Sequence, residues 1–252
     1  MSNFKDLFSN HSSDYKNYRP VYPQALFEYL AKQVSDASAV WDCGTGNGQG
    51  AEGLAEFFDK VYATDASAKQ IEAASAHSKI IYSVATAEHS GLDDQTVNLV
   101  TVCQALHWFD LDAFYKEVRR ISKPGALLAV IGYNTALTGI KEVDETYKAL
   151  CFDYLWKKEC WEMNRGSLNE DYKGIDFPFK ETETLQFYIE MHWNYQDYLN
   201  YLNTWSAVKT HIKKYNENPV ETFVASKIEK YWPNPEEKRL VEFPVILRLG
   251  VV

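Results

Sequence analysis

Asp42, Asp65, Glu88 and His107 each stand at or just past the end of a short apolar run. Asp42 follows Val40-Trp41, Asp65 ends Val61-Tyr62-Ala63-Thr64, and Ala87-Glu88 comes soon after Ile80-Ile81-Tyr82-Ser83-Val84. His107 sits in Cys103-Gln104-Ala105-Leu106-His107-Trp108-Phe109-Asp110, directly after the run 97–102. A carboxylate accepts from two vicinal hydroxyls at once, as a ribose presents them. An imidazole can take a proton near neutral pH. Between Asp42 and the next helical pattern lies Cys43-Gly44-Thr45-Gly46-Asn47-Gly48-Gln49-Gly50. Its glycines permit unusual dihedrals and leave bare backbone for a ligand to approach.

The glycines alternate at 44, 46, 48 and 50, unlike the G-x-G-x-x-G that seats a dinucleotide pyrophosphate on a helix N-terminus. With Asp42 beside them, a cationic group is better placed there than an anion. A nicotinamide-type site and a purely structural turn stay open on the turn alone. Asp65 likewise reads either as a ribose ligand or as the N-cap of a helix over 66–77.

The elements that would hold these residues alternate. Ala51, Leu54, Ala55 and Phe58 share a helical face after the turn, and Phe114, Val118 and Ile121 share another. Lys123-Pro124-Gly125 is expected to end that second helix, and 126–131 to form a fifth strand. Strand–helix alternation predicts an α/β fold with a doubly wound, mostly parallel sheet, whose ligands lie outside the strand carboxyl ends. All four side chains then fall at one edge.

On these motifs the chain resembles the class I S-adenosylmethionine-dependent methyltransferases, with a Rossmann-like seven-stranded sheet and an antiparallel edge strand. The resemblance covers about residues 35–132. Tyr18-Arg19-Pro20-Val21-Tyr22-Pro23, the segment 104–110 and Thr204-Trp205-Ser206-Ala207 are similar to the trans-aconitate methyltransferase-like small-molecule subgroup. It implies S-adenosyl-L-methionine as cofactor and S-adenosyl-L-homocysteine as product; no metal is expected, since the His and acidic residues show no tight ligand spacing. It implies that Asp42 lies near the methionine amino end and that Gly44, Thr45, Gly46 and Gly48 run under the cofactor. Asp65 would take the ribose hydroxyls, Ala66 would lie against the adenine, and Ala87 and Glu88 would line the adenine side, chiefly by backbone. Gln104 and His107 would sit near the methyl group, and Tyr18 and Arg19 on a segment closing over the cofactor.

The formal net charge of −9 argues against nucleic acid or anionic membrane as partner. No apolar run reaches the ~20 residues of a membrane helix, and residues 1–20 lack a signal-peptide core. Cys43, Cys103, Cys151 and Cys160 show neither metal spacing nor a disulfide framework, so a cytoplasmic location is expected.

Three regions are expected: 1–132, an N-terminal lid segment with the cofactor-binding core; 133–235, a helical cap containing one sheet strand; and 236–252, a strand returning to the core. Within the cap, 141–158 reads as a helix, 163–179 as a loop and 184–193 as a strand. Residues 195–205 and 220–231 show helical spacing. The strands near 184 and 243 are expected to close one edge of the main sheet. The cap is rich in tryptophan and tyrosine, mostly packing and in part a pocket wall.

A sulfonium methyl is already activated, so in-line alignment with a small-molecule acceptor is the chief requirement. A carboxylate acceptor needs no base; an alcohol, phenol or ammonium does, with His107 as base or as pocket wall. Trp108, Arg165 and Trp205 are substrate-side candidates, and Arg19, Lys16 and Lys209 are further cations for an acidic acceptor. RNA or protein methylation, a non-catalytic S-adenosylmethionine-binding protein and a nicotinamide oxidoreductase are the alternatives.

Overall fold

The computed structural model describes residues 18–162 and 166–252. A seven-stranded sheet runs in the order β3-β2-β1-β4-β5-β9-β6. Its strands are β1 (Ala39–Cys43), β2 (Lys60–Asp65), β3 (Ile80–Val84), β4 (Val97–Cys103), β5 (Ser122–Gly132), β6 (Lys180–Glu181) and β9 (Ile246–Val251). The pairs joining β3 through β5 are parallel, and β9 is antiparallel to both β5 and β6. This is the α/β, Rossmann-like architecture expected from the alternation.

Central strands are apolar throughout because both faces are covered. Val40, Leu99, Leu127 and Ala129 pack on one face with Leu26 and Phe27 of α1 (Gln24–Gln33) and Ala51 and Leu54 of α2 (Gln49–Ala55). Trp41, Val100, Leu128 and Val130 pack on the other. They meet Phe114, Val118 and Ile121 of α4 (Leu111–Ile121). Asp110 caps α4 by accepting the Ala113 amide at 3.2 Å, and Arg119 and Arg120 face the negative end of its dipole.

Several expectations are corrected. The helix expected over 66–77 is only α3 (Ala68–Glu72), and none of its residues is buried. Short helices persist by packing an apolar face, and Ala73, Ala74 and Ala76 offer little to bury. Lys123-Pro124-Gly125 does not precede β5 but belongs to it as a bulge: Val97 pairs with Ser122 and Leu99 with Leu127.

The strand expected over 184–193 is β7 (Tyr188–Trp193), and it leaves the main sheet to pair with β8 (Arg239–Pro244). Its burial alternates, with Ile189 and Trp193 inward, which suits a one-sided ribbon rather than a strand covered on both faces. The final run is correspondingly split into β8 and β9 at Val245, whose amide bonds Phe187 instead. The edge of the main sheet falls to β6, two residues long.

The helical layer begins with α5 (Lys141–Lys148), continued by a wider π-type segment (Ala149–Tyr154). Then come α6 (Tyr195–Asn203) and α7 (Ser206–Tyr215). Asn194 and Asp197 form a capping box at the start of α6. Residues 220–231 pass through π, α and 3₁₀ turns, so the helical spacing seen there holds only piecewise.

Candidate active site

The carboxyl ends of β1, β2, β4 and β5 lie side by side, and each contributes to one constellation. After β1 the chain turns sharply, with Gly44 and Thr45 amides both donating to the Thr64 carbonyl at 2.9 Å. A Cβ on Gly44 would lie 2.7 Å from the Ala105 Cβ, so the post-β4 loop rests on this glycine. Gly46 has φ +58° and only the Gln70 side chain within 4.0 Å of where a Cβ would stand, which leaves its backbone open to a ligand. Gly48 is overlaid by the Tyr82 ring.

Asp65, half-buried, accepts the Gly46 amide at 2.9 Å and the Ser67 amide at 2.8 Å. It thus ties the glycine turn to the loop carrying Ala66. It does not cap the helix; Ser67 occupies that position. Two carboxylate oxygens have lone pairs for more than these two amides.

Asp42 is 1% exposed. Its oxygens accept the Thr45 hydroxyl at 2.6 Å and the Thr101 hydroxyl at 2.8 Å, so the side chain is engaged inside the turn. Burial pushes its carboxyl above the usual range, against the hydrogen bonds from Thr45, Thr101 and the Ala51 amide. Thr101 was not singled out in the sequence. Its signal is a hydroxyl inside an otherwise apolar strand, brought opposite Asp42 by the β1–β4 register.

Ala87 is buried, and Glu88 accepts the Asp110 amide at 3.0 Å, so its side chain serves the start of α4. Glu117 of α4 answers by accepting the Ser90 amide at 2.8 Å and hydroxyl at 2.5 Å. The loop after β3 is therefore clasped from both ends. Burial raises the Glu117 carboxyl, but the Arg120 and Ser90 hydrogen bonds outweigh it and hold the group at about 2.

Gln104 has φ +57°, a conformation rare for a residue with a side chain. It is held there by its amide bonding the Ile131 carbonyl at 2.9 Å and its side chain bonding the Tyr133 carbonyl at 2.7 Å. Such enforced strain is a frequent mark of a working site. His107 follows in a 3₁₀ turn (Leu106–Trp108), half-buried, with Nδ1 3.2 Å from the Tyr172 hydroxyl. Trp108 is 40% exposed beside it.

Tyr172 belongs to the segment read as a loop. The fold fixes it there: Arg248 donates to the Tyr172 carbonyl at 2.6 Å, and Asn134 bonds the Leu168 carbonyl and Asp171. The N-terminal segment is brought to the same edge by Gln49, whose side chain donates to the Pro20 carbonyl at 3.2 Å. Tyr18 and Arg19 are both half-buried there.

Not every candidate converges. Trp205, read as a substrate-side candidate, is 3% exposed and packed against Tyr147, Trp161 and Tyr201. Lys209 is exposed on α7. Arg165 and Lys16 lie outside the described residues. Among the described residues no cluster of three or more His, Cys, Asp or Glu could hold a metal, and no helix is long and apolar enough to cross a membrane.

The family described as a methyltransferase domain matches residues 41–130, from within β1 to within β5. A solved structure from Anaeromyxobacter dehalogenans, described as a candidate type II methyltransferase, is 37% identical, with a TM-score of 0.86 over 93% of this chain and 98% of that one. This chain belongs to the class I methyltransferase family. A candidate methyltransferase of Dictyostelium discoideum is 26% identical over 98% of this chain and 95% of its own. A candidate methyltransferase structure from Bacillus halodurans, 19% identical, shares the fold at a TM-score of 0.51 over 90% of this chain and 97% of that one. As a methyltransferase, the chain keeps its glycine turn, Asp65 and His107 within the span that the domain profile matches.

Proposed function

We propose that this methyltransferase moves the sulfonium methyl group of S-adenosyl-L-methionine to a small-molecule acceptor. The observation that carries the reading is the Asp65 carboxylate, bonded to the Gly46 amide beside an open stretch of backbone. Asp65 would hold the ribose hydroxyls, and the turn from Gly44 to Gly48 would leave room for the methionine half. In this assignment Gly44, Thr45, Gly46 and Gly48 floor the cofactor, Ala66, Ala87 and Glu88 flank the adenine, and Gln104 faces the methyl-bearing end. Asp42 acts from beneath, shaping the turn through Thr45. Tyr18 and Arg19 close the site from the N-terminal side.

The reaction is an in-line displacement at carbon. The acceptor's lone pair forms the new bond to the methyl as the carbon–sulfur pair returns to sulfur, leaving neutral S-adenosylhomocysteine. Alignment supplies most of the acceleration. Where the acceptor carries a proton, His107 takes it at Nε2, with Nδ1–H donating to the Tyr172 oxygen. The resemblance to the trans-aconitate methyltransferase-like subgroup, and the acidic net charge, support a small-molecule acceptor over RNA. The four free thiols suit a reducing cytoplasm. The region 133–235 acts as the specificity cap, with Trp108 at its border.

Titration calorimetry with S-adenosylmethionine, S-adenosylhomocysteine and NAD tests the reading. Saturable binding of the two adenosyl ligands without NAD supports it, and a methyl-acceptance screen of carboxylates, phenols and amines follows. Binding of NAD alone, or of none of the three, defeats it.

A further inference from the structure

Tyr22 lies just ahead of α1 and is 6% exposed. Its ring meets those of Phe27 and Tyr133 edge-on, at 6.3 and 5.9 Å between centroids. Its hydroxyl oxygen is buried and has no hydrogen-bond partner among the described residues. Buried hydroxyls are normally bonded, because an unbonded one has forfeited its hydration for nothing. The nearby buried hydroxyls of Thr45 and Thr101 are both bonded, to Asp42.

The place of this orphan is informative. Cys103, Tyr133, Tyr172 and Asp42 all act electrostatically on the phenol. They come from the ends of β1 and β4, the residue after β5, and the segment that meets His107. Strand carboxyl ends are where open α/β sheets take their ligands. Burial, then these neighbours, push the phenol well above its ordinary pKa, so it remains a neutral hydroxyl with two lone pairs to offer. The set includes the Asp42 carboxylate and no cation, which suits a positively charged ligand group. The Gln49–Pro20 hydrogen bond holds this part of the chain against the N-terminus of α2.

We propose that the Tyr22 hydroxyl contacts the cationic methionine end of S-adenosylmethionine, its oxygen accepting from the α-ammonium or from the polarised sulfonium methyl. This rests on the cofactor assignment above and adds a contact from the chain ahead of α1. The charge common to both donors selects them; a neutral ligand end gains nothing from this oxygen beside Asp42.

The test is Tyr22→Phe in the full chain, titrated with S-adenosylmethionine, S-adenosylhomocysteine and 5′-methylthioadenosine. The last keeps the adenosine and lacks the charged amino-acid end. The variant loses no internal hydrogen bond, so its thermal midpoint should equal or exceed that of the wild type. Expected is a roughly tenfold to hundredfold loss for S-adenosylmethionine, with methylthioadenosine unchanged. An equal loss for S-adenosylhomocysteine assigns the ammonium; none assigns the sulfonium methyl. Unchanged S-adenosylmethionine affinity, or an equal loss for methylthioadenosine, overturns the proposal while leaving the cofactor assignment standing. Wild-type protein that binds no S-adenosylmethionine overturns both.

Discussion

The Nδ1 of His107 lies 3.2 Å from the Tyr172 hydroxyl, with the two rings inclined by only 25°. The pair joins a turn after β4 to a segment 65 residues further along the chain. When Nδ1–H donates to the Tyr172 oxygen, the basic lone pair of the imidazole lies on Nε2. For an acceptor that must lose a proton, His107→Ala should lower kcat/KM by about 10²–10⁴-fold and flatten the acidic limb of the pH–rate profile. Tyr172→Phe should cost less and displace that limb. A profile unmoved by either change removes the base role.

Asp65→Ala should weaken S-adenosylmethionine binding by at least about tenfold, since a charge-assisted contact is lost along with the support of Gly46. Calorimetry reads this directly. An unaltered affinity sinks the ribose assignment.

Two glycines of one turn should respond differently to alanine. Gly44→Ala drives a Cβ to 2.7 Å from the Ala105 Cβ, so stability should fall by about 1–3 kcal/mol. Gly46→Ala meets only the Gln70 side chain, at 4.0 Å, and suffers mainly from its φ of +58°, about 1 kcal/mol, but puts a methyl where the proposed ligand would pass. Denaturant melts should rank Gly44→Ala as the less stable protein, and titration should rank Gly46→Ala as impaired in cofactor binding beyond its loss of stability.

The Glu117 clasp should appear in acid. Its folded pKa, about 2, lies below that of an unfolded glutamate. Its stabilisation is therefore complete above the unfolded value and is lost as pH falls from about 4.5 toward 2. Because the Arg120 partner is partly exposed, about 2 kcal/mol is the expected size. Glu117→Gln should show a smaller drop in stability over that window than wild type; equal slopes for the two proteins contradict the clasp.

Trp205→Ala should destabilise the fold by about 3–5 kcal/mol, as for a large core aromatic. Trp108→Ala, at a 40% exposed position, should leave the melting midpoint nearly unchanged and act instead on the acceptor KM. The opposite ranking would support Trp205 as a substrate contact.

The glycine turn, the acids at the ends of β1 and β2, and the strand–helix alternation from β1 to β5 were legible in the chain because they are local. A buried strand, a tight turn and an amphipathic helix each impose their own residue pattern within a dozen positions. Tertiary structure decided the rest. Thr101 meets Asp42 only through strand register, and Tyr172 meets His107 only because Arg248 and Asn134 fold a loop back over β5. The destination of β7 was likewise undetermined: its alternation announces one buried face, but not which partner strand or sheet will cover it. Trp205 shows the same limit from the other side, since a tryptophan reads alike in a core and in a pocket until its neighbours are in place. Local pattern specifies an element, whereas contacts between residues far apart in sequence are fixed only when those elements pack.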